Sequence, residues 1–217
     1  MVRALLFLCF AMASQSFCSD AFREVSFTTP DGGEIYANLY GQGGHAVALA
    51  HGAVFDKESW HSLALELSER GLQVLAIDFR GYGKSRPGKR KEDRHLDLLG
   101  AVDFLKGRGS GEISFLGGSM GGAAAAKAAA ILGENELSKL VLLAPAGVAS
   151  PKKLAGDKLF IVSEGDRLRA RVETAFGEAR QPKALEIIEG DAHAQHIFKT
   201  RQGPELTRMI VDFLGGD

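Results

Sequence analysis

The sequence has only two cysteines among its 217 residues, Cys9 and Cys18, both near the start. No disulfide framework can staple the rest of the chain, so its stability has to come from a packed core. Charge of one sign is also missing: 26 Lys and Arg stand against 27 Asp and Glu, a net charge of −1. Without a basic excess to neutralise a phosphate backbone, the chain does not read as a dedicated nucleic-acid binder. No apolar run approaches the roughly 20 residues that a membrane-spanning helix needs. Proline is scarce, at 6 residues, while 45% of the chain is hydrophobic, which excludes a disordered chain. The length allows one sizeable core but not two ordinary enzyme domains.

Glycine is what the sequence has in excess, at 27 residues. The glycines sit between apolar runs, which reads as tight turns in an ordered fold. At the start, Arg3 precedes an apolar stretch from Ala4 to Ala13, followed by small and polar residues from Ser14 to Ser19. This is the pattern of a secretory signal peptide over 1–19, with one domain over 20–217 and a secreted or periplasmic location. A buried N-terminal helix is the alternative. Phe17 before Cys18 is a poor fit to a lipoprotein box.

The remainder alternates between strand and helix patterns. Phe22 to Thr29 and Glu34 to Tyr40 flank the turn Pro30-Asp31-Gly32-Gly33, a hairpin signal. Further strands are expected at 45–50, 73–77, 113–116, 139–143, 158–163 and 184–188, and helices at 57–70, 92–108, 120–132, 167–176 and 204–214. The last six strands are almost continuous apolar runs separated by helices, as in a parallel sheet covered on both faces.

Residues with chemical potential fall at the strand ends. Gly117-Gly118-Ser119-Met120-Gly121 lies between a strand and an Ala-rich helix. That G-x-S-x-G context fits a nucleophile elbow, in which small neighbours permit a strained turn that exposes the Ser119 hydroxyl. The same stretch also reads as a glycine-rich turn with a capping serine. A serine nucleophile needs a base, and the base needs an orienting acid. Six histidines compete: His45, His51, His61, His95, His193 and His196. His193 and His196 follow the last strand, where the base falls in the chain order Ser, acid, His, and His193 sits in the short loop Gly190-Asp191-Ala192-His193. For the acid, Asp166 follows the strand 158–163 and leads its neighbour Glu164; Asp191 lies too close to the histidine along its loop. Asp166 also reads as an N-cap of the next helix. The oxyanion hole needs two backbone N–H groups. Met120, after the nucleophile, and Ala53, in His51-Gly52-Ala53-Val54, are the candidates, with His51 bracing that loop.

The chain resembles the α/β-hydrolase superfamily over essentially its whole length after the leader. The pieces, in order, are His51-Gly52 with Trp60 downstream, Asp78 to Ser85, Gly117 to Gly121, Ser163 to Asp166, and Gly190 to His193. The resemblance implies an eight-stranded, mostly parallel sheet with helices on both faces, with Ser119 as nucleophile, Asp166 as acid and His193 as base. The segment Asp78 to Ser85 has a structural role in the family. Many members insert a lid after the sixth strand. Here only Ala144 to Asp157 is available, so an open site with no lid is expected. The reading is a serine hydrolase of carboxylic esters, acting through an acyl-enzyme on a small-molecule ester. Alternatives are a thioesterase, lactonase, peptidase or acyltransferase on the same three residues, or a non-catalytic binding protein of hydrolase fold. No metal or cofactor is implied, since the sequence holds no Cys/His cluster. No nucleic acid and no stable membrane span are expected, and the oligomeric state is left open.

Overall fold

The inner strands are apolar on both faces because both are covered, while the strands at the two edges alternate. The computed structural model describes residues 21–133 and 135–216; the expected signal peptide lies outside the described residues. The eight strands are β1 (Arg23–Thr28), β2 (Glu34–Tyr40), β3 (His45–Ala50), β4 (Gln73–Ile77), β5 (Glu112–Gly118), β6 (Lys139–Leu143), β7 (Asp157–Ser163) and β8 (Lys183–Ile188). They form one sheet in the order β1-β2-β4-β3-β5-β6-β7-β8. β1 and β2 form the expected antiparallel hairpin, and β2 also runs antiparallel to β4; every other neighbouring pair is parallel. All five residues of β4 are buried, whereas edge strand β8 alternates for most of its length.

Four helices join strands, α1 (His61–Glu69), α2 (His95–Gly107), α3 (Met120–Ile131) and α4 (Arg169–Glu178), and a fifth, α5 (Gly203–Gly215), follows β8. The connection through α1 steps from β3 to β4 on one side. Those through α2, α3 and α4 step the other way along the sheet. Because β-α-β crossovers are right-handed, α1 lies on the opposite face from α2, α3 and α4. α5 packs against α1, and α2 against α3, so helices cover both faces. The Ala-rich sequence of α3 suits this position. Ala124, Ala125, Ala126, Ala128 and Ala129 are buried, and a methyl group lets the helix approach the sheet closely while retaining the best helix propensity.

Several element boundaries differ from the sequence reading by one to four residues, and three helix starts have a visible cause or form. The first turn of the 57–70 helix is a 3-10 turn at Lys57–Trp60, where Asp56 accepts a hydrogen bond from Ser59 N. Helix α2 starts at His95 rather than Glu92, because Asp31 accepts from Arg90 N and draws the preceding residues into turns. Helix α4 starts at Arg169 rather than Arg167. Between β6 and β7 stands only a 3-10 turn at Pro151–Lys153, so no lid covers the sheet there.

Register places the loops that matter. Ala50 pairs with Gly117, Gly118 with Leu143, Leu143 with Ile161, and Ser163 with Ile188. The carboxyl ends of β3, β5, β7 and β8 therefore finish at one end of the sheet, where open α/β sheets bind their ligands.

Candidate active site

The turn after β5 is under backbone strain. Ser119 has φ 51° and ψ −112°, a positive-φ conformation that costs a non-glycine residue of order 1–3 kcal/mol and persists only where the surroundings enforce it. Ser119 N donates to Leu143 O at 3.0 Å, and Ser119 O accepts from Ala146 N at 2.9 Å and Ala123 N at 3.1 Å. Two glycines make the turn possible. A Cβ on Gly117 would sit 2.4 Å from Gly121 O, and one on Gly121 would sit 2.1 Å from Ala50 O. Neither approach is compatible with a side chain.

The loops after β7 and β8 are tied together opposite this turn. Gly165 N donates to Gly190 O at 2.8 Å, and Ser163 Oγ donates to Ala192 O at 2.6 Å. These bonds set Asp166 beside His193. Asp166 Oδ2 is 2.6 Å from His193 Nδ1, and His193 Nε2 is 2.8 Å from Ser119 Oγ. The carboxylate is fully shielded from solvent, while the imidazole keeps 29% of its surface exposed. Oδ1 of Asp166 accepts from Leu168 N at 2.8 Å, so the acid also caps the turn leading into α4. That bond displaces the start of the helix.

The other histidines lie elsewhere. His45 meets Ser114 Oγ at 2.8 Å at the far end of the sheet, and His61 meets the Tyr40 hydroxyl at 3.1 Å. His95 lies beside Asp93 at the start of α2. His196 rests its ring on Phe55 at 4.9 Å. Glu164 and Asp191 are exposed at the surface, outside the Ser119–His193–Asp166 chain of contacts.

His51 is buried and structural. Phe79 N donates to its Nε2 at 3.2 Å, so its proton resides on Nδ1 and is donated to Gly52 O at 2.8 Å. Burial pushes this imidazole below its ordinary pKa, keeping it neutral. The loop it braces abuts Ser119, since a Cβ on Gly52 would stand 3.5 Å from Ser119 Cβ. The Tyr82 hydroxyl donates to Ala53 O at 2.9 Å. Among the described residues, neither Ala53 N nor Met120 N donates to another protein group.

Gln195 belongs to none of the sequence motifs. It lies in a 3-10 segment after His193, Ala194–Lys199, and is buried. Its Oε1 accepts from Gly52 N at 2.6 Å and its Nε2 donates to Ser59 Oγ at 2.7 Å. It thus joins the loop after β8 to the loop after β3.

The segment Asp78 to Ser85 holds structure. Asp78 accepts from Lys57 N and Nζ at 2.8 and 2.9 Å. Arg80 is buried between Asp31 and Asp97. Ser119 and His193 open onto a hollow of about 420 Å³, whose other walls are Ala146, Arg167, Leu168 and Arg171. A larger groove of about 1020 Å³, lined in part by Gly41, Gln73 and Arg108, lies at the opposite end of the parallel strands and, among the described residues, holds neither serine nor histidine. Among the described residues, no cluster of three His, Cys, Asp or Glu side chains is placed to hold a metal ion.

Residues 47–211 match the model of the alpha/beta hydrolase family. A non-heme haloperoxidase of Rhodococcus erythropolis is 30% identical over 116 residues, covering 54% of this chain and 42% of that protein. The chain thus spans under half the length of this curated relative. A predicted CIB-like hydrolase of Thermoplasma acidophilum superposes with a TM-score of 0.76 at 23% identity, covering 91% of this chain and 99% of the other. An esterase of Pyrococcus furiosus superposes with a TM-score of 0.73 at 20% identity, covering 89% and 91%. At these identities the structural likeness shows the fold alone.

Proposed function

The chain belongs to the alpha/beta hydrolase family, and from that premise we propose that it is a serine hydrolase of carboxylic esters. The observation that carries this reading is the continuous contact Ser119 Oγ–His193 Nε2–Asp166, at 2.8 and 2.6 Å, with Ser119 on a strained turn facing an open hollow.

In this mechanism Ser119 Oγ attacks the ester carbonyl carbon as its proton passes to His193 Nε2. Negative charge develops on the carbonyl oxygen, and the N–H groups of Ala53 and Met120 are free to receive it. The first turn of α3 adds the positive end of its dipole there. The bond to the alkoxy oxygen then breaks, and the alcohol leaves with the proton from His193. Water attacks the acyl-enzyme, gives a proton to His193, and the acid departs as Ser119 Oγ recovers that proton. Asp166 holds the proton-bearing Nδ1 of His193 and offsets the charge of the imidazolium. The test is turnover of a short-chain 4-nitrophenyl ester. Wild type is expected to hydrolyse it, and Ser119→Ala to fall to background. Equal turnover in the variant overturns the reading.

A further inference from the structure

The hollow beside Ser119 carries two guanidinium groups and no carboxylate facing them. Arg167 and Arg171 both line it, and both are exposed. Arg167 lies in the turn before α4 and Arg171 in its first turn, and both reach the same hollow. Among the described residues, neither takes part in an ion pair. Arg169, between them in sequence, behaves differently: its Nε donates to Glu173 at 2.9 Å, and it also reaches Glu164 O at 3.2 Å. The nearby acid, Asp166, is fully shielded behind His193, with both oxygens already accepting hydrogen bonds. A second hollow of about 430 Å³ adjoins the first across Ala146 and Arg171. It is lined by apolar groups such as Val148, Pro151 and Ala175, with Glu178 as its one acid, two helical turns beyond Arg171.

Two unpaired cations beside a reaction centre have a cost. They repel each other. An anionic group on the substrate removes that penalty, and the planar guanidinium is suited to grip an oxyanion through two parallel hydrogen bonds. We propose that Arg167 and Arg171 bind an anionic group, of carboxylate type, on the substrate, so that the preferred substrates are anionic esters. This rests on the ester hydrolase reading above and names its substrate class.

The experiment compares kcat/KM for two pairs of esters. One pair differs by a terminal carboxylate on the acyl chain, mono-4-nitrophenyl glutarate against 4-nitrophenyl butyrate. The other carries the carboxylate on the leaving group, 4-acetoxybenzoate against phenyl acetate. Wild type is expected to favour the charged member of at least one pair by about tenfold or more at low ionic strength, equivalent to about 1.4 kcal/mol. Added salt should shrink that preference. Arg167→Gln and Arg171→Gln should each lower the ratio several-fold, the double variant should erase it, and Arg169→Gln should leave it as in wild type. If neutral esters are hydrolysed but the ratio stays near one for both pairs, or survives in the double variant, the arginine assignment is wrong while the hydrolase reading stands. If no ester is turned over and a fluorophosphonate fails to label Ser119, the hydrolase reading itself fails and takes this inference with it.

Discussion

His193 Nε2 lies 2.8 Å from Ser119 Oγ, although 74 positions separate the two residues in the chain. The contact is assembled from the ends of β5 and β8, with β6 and β7 between them in the sheet. It depends on the strained turn at Ser119, on the bonds tying the β7 and β8 loops together, and on Asp166 behind the imidazole. Each of these supports can be removed singly.

Asp166→Asn keeps the shape of the side chain but presents an amide to His193 Nδ1, which no longer fixes the tautomer. The kcat for ester hydrolysis should fall by about three to four orders of magnitude. Thermal unfolding followed in parallel should show a folded protein, since the carbonyl of the amide still accepts from Leu168 N.

Gln195→Ala withdraws the acceptor from Gly52 N and leaves that buried donor unpaired, at a cost of about 1–3 kcal/mol. The loop carrying Ala53 loses its tie to the loop carrying His193. The expectation is a lower Tm together with a kcat reduced by about tenfold and a smaller change in KM. A variant with lowered Tm but unchanged kcat would confine Gln195 to folding.

Gly121→Ala drives a methyl group to within 2.1 Å of Ala50 O. Because the obstacle is backbone, the turn has to move, and the variant should fail to accumulate as folded protein. Gly177→Ala is the contrast. That glycine lies in α4 with open space where a Cβ would go, so stability should rise by about 0.5–1 kcal/mol. Urea unfolding of the two variants reads both effects.

Acid should destabilise the fold through its buried and half-buried histidines. Burial pushes the imidazoles of His45, His51 and His95 below their ordinary value of 6.5. As pH falls below that value, the unfolded chain takes up protons that the folded chain refuses, so stability drops with falling pH. His51 cannot accept a proton on Nε2 without losing the bond from Phe79 N. Urea midpoints at pH 7.5, 6 and 5 should therefore decline in that order.

The strands were legible because their apolar runs are long relative to the turns around them; β2, β3, β4 and β6 begin and end where the pattern places them. The order of β4 before β3 in the sheet was not legible, since it is set by long-range pairing that leaves no mark on either strand alone. Ser119, Asp166 and His193 stood out because each closes a strand in a glycine-marked loop. Gln195 did not. It lies in a short 3-10 segment with no periodicity, and its partners, Gly52 and Ser59, are remote in sequence. The start of α4 was misplaced by two residues because Asp166 caps Leu168 N, a side-chain bond that helix propensity does not register. Arg167 and Arg171 belong to no motif, and only the fold sets them beside Ser119.

The most direct measurement is to treat the purified protein with a fluorophosphonate and locate the adduct by peptide mass spectrometry. The account predicts one covalent adduct, on Ser119, formed in wild type, strongly slowed in His193→Ala and lost in Ser119→Ala. An unlabelled Ser119 in folded wild-type protein, or labelling at the same rate without His193, would contradict it.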